Sequence, residues 1–130
     1  MERVFIERER PQMSRYTWLL DPGHGGIING VYQTAGKRSP RFPDGSILYE
    51  GEFNRDIVKR ILILCQEHEI ECVDIVNTQE DMPLYQRVSR ANLLHRENGN
   101  SVYVSVHANA FGNGRDFTQA KGVCIFHHYK

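Results

Sequence analysis

Long apolar runs are missing from this chain: no stretch approaches the roughly 18 residues needed to span a bilayer, so no membrane association is expected. Neither sign of charge is in excess. Sixteen Lys and Arg balance sixteen Asp and Glu over 130 residues. Bulk electrostatics therefore give no reason to expect nucleic acid or an anionic membrane surface as partner. Cysteine is sparse and odd in number, with only Cys65, Cys72 and Cys124, and no pair has CxxC spacing. That argues against a disulfide framework or a cysteine zinc site and for a reduced compartment, with all three read as small core residues. The opening MERVFIERERPQMSR is charged and has no signal-peptide hydrophobic stretch, so the chain is expected to be made in the cytoplasm wherever it acts. Internal repeats and low-complexity tracts are lacking as well.

What is present is the composition of an ordinary globular domain, 40% apolar and 25% charged. Residues 1–15 read as an N-terminal extension and 16–130 as one domain. RYTWLL (15–20) is a short strand stopped by Asp21-Pro22-Gly23. Residues 27–49 are rich in Gly, Pro, Ser and Asn, a long loop of the kind that tends to be functional or mobile. In 50–70, Phe53, Ile57, Ile61, Leu64 and Cys65 recur at helical steps. CVDIVNT (72–78) reads as a second strand. A second helix is expected near 83–97, with Pro83 in its first turn, Leu84, Val88, Ala91 and His95 on one face, and Gly99 as stop. SVYVSVHANA (101–110) opens with a strand, and GVCIFHHY (122–129) reads as the last one, after the turn at Gly112-Asn113-Gly114. The alternation predicts an α/β fold, a mostly parallel twisted sheet covered by helices.

Sites in such sheets form beyond the carboxyl ends of the strands. His24, in DPGHGG, lies just past the first strand, and His107 closes the third. Glu50, in the first turn of the first helix, suits the positive end of the helix dipole and shares a face with Asn54. Two neutral imidazoles and a carboxylate, with a fourth position open, form a catalytic zinc arrangement. Read singly, each residue has a plainer role: His107 as a strand-end histidine bonded to a nearby loop, His24 as a turn residue. Spacing alone does not choose between these readings.

At these residues the chain resembles the zinc-dependent N-acetylmuramoyl-L-alanine amidases that cleave peptidoglycan. WLLDPGHGG is similar to the family's first strand and first zinc histidine. EGEFNRDIVKRI resembles the segment with the metal-binding glutamate. MPLYQRVSRANLLHRENGNSVYVSVHANA resembles the helix and strand that lead to the second histidine, and KGVCIFHHY the strand that follows. The resemblance implies Zn2+ held by His24, Glu50 and His107. Setting Asn54 against the family's asparagine selects Glu50 over its rival Glu52. It also implies hydrolysis of the amide between N-acetylmuramic acid and L-alanine, with peptidoglycan as partner and the bacterial cell wall as the place of action.

The family usually continues through a further helix and strand to a late catalytic glutamate. This chain stops at Lys130 and reads as lacking both elements. No acid/base is identified; Glu52 and Asp116 are the weak candidates. A shortened sheet leaves an edge and apolar surface open, so self-association or a complementing chain is expected. A wall-binding or regulatory zinc fragment without turnover is the alternative function, and a metal-free structural domain a third. Asp21 and Asn109 are candidates for orienting a ligand or the substrate. Arg38, with Lys37, Arg41, Tyr32 and Phe42, is a candidate substrate contact from the long loop. Ser105 shares the His107 face as a packing or supporting contact. His68, His95, His127 and His128 are read as structural or surface residues.

Overall fold

A computed structural model describes residues 15–128. The N-terminal extension expected over 1–15 therefore lies outside the described residues, Arg15 excepted. Strand β1 (Thr17–Pro22) is the middle of a parallel three-stranded sheet, flanked by β4 (Cys72–Asp74) and β5 (Ser101–Val106). Helix α1 (Glu50–Glu67) connects β1 to β4, and α2 (Leu84–Asn98) connects β4 to β5. The two crossovers run in opposite directions across the sheet. Right-handed connections then place the helices on opposite faces.

Side-chain alternation along the strands agrees. Leu19 faces α2, in a core with Ile75, Val76, Met82, Ala91 and the half-buried Val73 and Leu94. On the other face Trp18 registers with Cys72, whose sulfur is bonded to Cys65 of α1. Between β1 and α1 lies a short hairpin, β2 (Ile27–Ile28) with β3 (Val31–Tyr32). Its turn residues Asn29 and Gly30 both have positive φ, 49° and 77°, as a two-residue type I′ turn demands. The remainder of 33–49 is loop, save one bridge between Arg38 and Tyr49.

Several expectations need correction. Cys65 and Cys72 form a disulfide rather than packing as free thiols. The short reversal after α1 returns the chain with Cys72 on the helix-facing side of β4, and the two Cα atoms stand 6.3 Å apart, within bridging range. The composition argument for a reduced compartment loses its ground with it. Cys124 is free and exposed rather than a core residue.

GVCIFHHY is not a strand over its described part, 122–128: Val123, Ile125 and Phe126 are 92%, 85% and 87% exposed. A period-two pattern becomes a strand only where an edge and a packing face receive it. The helix stripes are also displaced. In α1 the buried residues are Gly51, Asn54 and Val58, while Phe53 and Leu64 are exposed. In α2 they are Arg87 and Ala91, while Leu84 and Val88 are exposed and Pro83 stands at the N-cap. In both helices, contact with β1 and its following turn decided the face more than apolar content did. Among the described residues no helix is long and apolar enough to cross a membrane.

Candidate metal centre

The register of β1 with β5 builds the centre. Pro22 pairs with Val106, and the Gly23 amide donates to the Val106 carbonyl at 3.0 Å. Residues just beyond both strands are thus held side by side. The His24 and His107 rings lie with centroids 4.9 Å apart and nearly perpendicular. A residue with a Cβ does not fit at position 23, because that atom would overlap the His107 ring. His24 itself turns the chain at φ 65°, a left-handed conformation that costs a non-glycine residue roughly 1 kcal/mol or more.

Helix α1 brings the third group. Glu50 opens its first turn, and Glu50 Oε1 stands 3.3 Å from His24 Nε2 and 3.1 Å from His107 Nδ1. The Ala108 amide also donates to it, at 3.1 Å. All three donor atoms lie within 4.8 Å of one another. Ligands held about 2.0–2.2 Å from one tetrahedral zinc stand roughly 3.3–3.5 Å apart. The donor set, two imidazole nitrogens and one carboxylate oxygen, and the 3.3 and 3.1 Å separations of Glu50 from the two rings fit such an ion. Burial, acting against the pull of Glu50 and aided by His107, holds the His24 pKa below the usual histidine value. That favours the neutral ring a metal requires.

The turn that carries His24 is clamped from both faces of the sheet. Arg87 of α2, buried, is paired with the buried Asp21 carboxylate. It donates as well to the carbonyls of Met82 (2.7 Å), Pro22 (2.8 Å) and His24 (3.2 Å). Arg55 of α1 donates to the same His24 carbonyl at 2.8 Å. Asp21 accepts further hydrogen bonds from the Tyr103 hydroxyl and, at 3.4 Å, from Ser105 Oγ. Burial and the neighbouring Asp21 carboxylate push the Tyr103 phenol well above its ordinary pKa. Asn54, fully buried, donates to the Gly23 carbonyl at 3.1 Å.

The other candidates stand apart from the three donors. Glu52 accepts the Ile27 amide at 2.8 Å and thereby holds the hairpin. Asp116 is exposed in the segment beyond β5, where the neighbouring Phe117 ring lies 4.8 Å from that of Phe42. Among the described residues neither carboxylate makes a hydrogen bond or ion pair with the triad. Asn109 is exposed. Arg38 is exposed and donates to the carbonyl of its neighbour Ser39 at 3.2 Å. His68 ends α1 as its C-cap, and His68, His95, His127 and His128 are all exposed. A cleft of about 510 Å³ opens beside the centre, and its lining includes His24, Ser105 and His107 together with Met82, Pro83 and Leu84.

Sequence reasoning missed Arg55 and Arg87, the pair that supports the site. Arginines are ordinarily assigned to solvent. Two signals for Arg87 were available: its place in the RxxxAN pattern (87–92) and Asp21, an acid at the end of an apolar strand that required a buried cation.

Comparison with known proteins bears on this geometry. A family model described as N-acetylmuramoyl-L-alanine amidase matches residues 19–130. Among solved structures, the chain is similar to the catalytic domain of CwlV, an N-acetylmuramoyl-L-alanine amidase from Bacillus (Paenibacillus) polymyxa var. colistinus. The match has 23% identity and a TM-score of 0.50, and covers 75% of this chain and 48% of that one. The amidase AmiC2 of Nostoc punctiforme matches at 24% identity and a TM-score of 0.50, over 75% of this chain and 46% of that one. At these identities the likeness is one of fold, and the chain spans about half the length of the structures it matches. A search of curated proteins found no match.

Proposed function

Because this chain belongs to the N-acetylmuramoyl-L-alanine amidase family, we propose that it is a zinc-dependent hydrolase of the amide joining N-acetylmuramic acid to L-alanine in peptidoglycan, acting at the bacterial cell wall. The convergence of His24, Glu50 and His107 at the carboxyl ends of β1 and β5 carries this reading. Zinc held by these residues would, when bound, supply Lewis acidity towards a water and the scissile carbonyl.

The chain's own residues do the rest. Glu50 offsets one of the two positive charges, and the Ala108 amide and the start of α1 hold its carboxylate in place. Asp21, Asn54, Arg55 and Arg87 fix the turn that aims His24. The cleft walled by Met82, Pro83 and Leu84 gives the lactyl-alanine amide a partly apolar bed beside the donors. Hydrolysis adds water oxygen to the carbonyl carbon, breaks the C–N bond and requires a proton at the leaving amine. Neither Glu52, engaged with Ile27, nor the exposed Asp116 touches the donors. That observation favours a second reading, a zinc-containing wall-binding or regulatory unit without turnover.

One experiment separates these. Purified chain is expected to bind about one zinc, and to release dye from labelled peptidoglycan until a chelator is added. A chain that binds no zinc, or whose release survives chelation, contradicts both zinc readings. Stoichiometric zinc with no release at high protein concentration establishes the second.

Self-association belongs to the same proposal. Among the described residues β5 pairs on one side only, with Val123, Ile125 and Phe126 exposed beyond it. Light scattering is expected to report mass rising with concentration; a constant monomer mass across a wide range refutes it.

A further inference from the structure

Arg55 is half-buried, and all four of its hydrogen bonds run to backbone carbonyls. Nη1 donates to His24 at 2.8 Å and to Gly51 at 3.0 Å, Nε to Thr78 at 2.9 Å, and Nη2 to Glu80 at 3.3 Å. These acceptors belong to three separate segments: the turn after β1, the first turn of α1, and the β4–α2 connection. A solvated lysine or arginine on a helix face needs none of them. Burial pulls the Arg55 pKa down, and the neighbouring Arg87 pulls it the same way. A second guanidinium beside a first, both aimed at the His24 carbonyl, is an electrostatic cost that the carbonyl dipoles must offset.

The geometry points to Arg55 as a positioning residue that sets the separation of His24 and Glu50, an inference resting on the zinc reading above. Arg55 lies in the helix that carries Glu50 in its first turn and grips, across the sheet edge, the peptide oxygen of His24. His24 sits at φ 65°, a conformation that persists only when its surroundings over-determine it. Asn54 does the same for the preceding residue through the Gly23 carbonyl. Consecutive residues of α1 thus hold consecutive residues of the turn. The planar guanidinium matters because one group reaches three segments at once; a lysine ammonium is a single point on a flexible stem.

The test uses Arg55→Met and Arg55→Lys, with zinc affinity measured by competition with a chromophoric chelator and cobalt substituted to read ligand geometry. We expect both variants to keep the far-ultraviolet circular dichroism of the parent. Arg55→Met should bind zinc roughly 10- to 100-fold more weakly, the range for residues that orient ligands, with an altered cobalt absorption band and Arg55→Lys in between. Affinity within twofold of the parent and an unchanged cobalt band in Arg55→Met overturn the inference. If Arg55→Met does not fold, Arg55→Lys is judged by the same two criteria.

If the parent itself takes up no zinc, the zinc reading fails separately. The hold on the turn is then read from amide exchange at Gly25 and Gly26 in metal-free protein. Faster exchange in the variant supports it, and unchanged exchange overturns it.

Discussion

Replacing Arg87 by Met is expected to destabilise the domain by about 3–5 kcal/mol, the range for removing one partner of a buried ion pair. Arg87 and Asp21 are 4% and 3% exposed. The guanidinium serves the Asp21 carboxylate and three carbonyls at once. Methionine fills much of the volume and strips the cation from the Asp21 carboxylate and from the Pro22 and Met82 carbonyls, while Arg55 still reaches the His24 carbonyl. Each buried acceptor left unmade adds a desolvation cost of about 1–3 kcal/mol where water cannot enter. Total stabilities of small domains are about 5–15 kcal/mol. Among the described residues the buried apolar cluster is small, five residues with Leu19 among them, so the loss removes a large share of the whole. Urea denaturation measures it. A double variant, Asp21→Leu with Arg87→Met, should be less destabilised than Arg87→Met alone, because the stranded carboxylate is gone too. A single variant that unfolds at the parent's urea midpoint contradicts this account.

Gly51→Ala is expected to destabilise the chain and to abolish stoichiometric zinc binding, against the trend of helix propensity. Within a helix, alanine is favoured over glycine by about 1 kcal/mol. At this position, however, a Cβ would fall inside the radius of the Gly25 carbonyl oxygen and crowd its carbon. Backbone meets backbone there, so no side chain can swing aside. Overpacking typically costs about 1–3 kcal/mol, and the displaced parts are the ones that matter. Gly51 follows Glu50, and Gly25 follows His24, so any parting of helix and turn separates two of the three donors. Thermal denaturation with metal analysis on the same samples decides the outcome. A Gly51→Ala protein that melts higher than the parent and still holds one zinc refutes the close seating of α1 on the turn.

These two positions also mark how far the sequence could be read. Punctuation and periodicity located β1, α1, α2 and β5, because Pro22-Gly23, Pro83 and Gly99 act locally whatever lies opposite. His24 and His107, the two histidines of the proposed centre, stood out as polar residues at strand ends, where α/β sheets keep their sites. Glu50 needed the resemblance to be told from Glu52, and the two differ in the structure by what each meets: the His24 and His107 rings and the Ala108 amide for one, the Ile27 amide for the other.

The rest depended on what each residue faces. Leu84 and Val88 made the more apolar stripe of α2, yet Arg87 is buried beside Ala91 because Asp21 waits beneath it. Cys65 and Cys72 look unrelated at a separation of seven until a helix end and a strand start are folded back together. The hairpin at Ile27–Tyr32 was overlooked within a loop, although Asn29-Gly30 between short apolar pairs is a direct turn signal. GVCIFHHY carries a strand pattern that none of the described strands pairs with.

The His24 carbonyl is where the two outer layers of the domain meet. Arg55 reaches it from the helix on one face of the sheet, and Arg87 from the helix on the other. Sliding either helix along the sheet pulls on the same oxygen atom, and therefore on an imidazole that must hold its angle. The domain thus has no layer that can yield to a load without the centre feeling it. On the zinc reading proposed above, occupancy of the centre would in turn gauge whether both helices are seated.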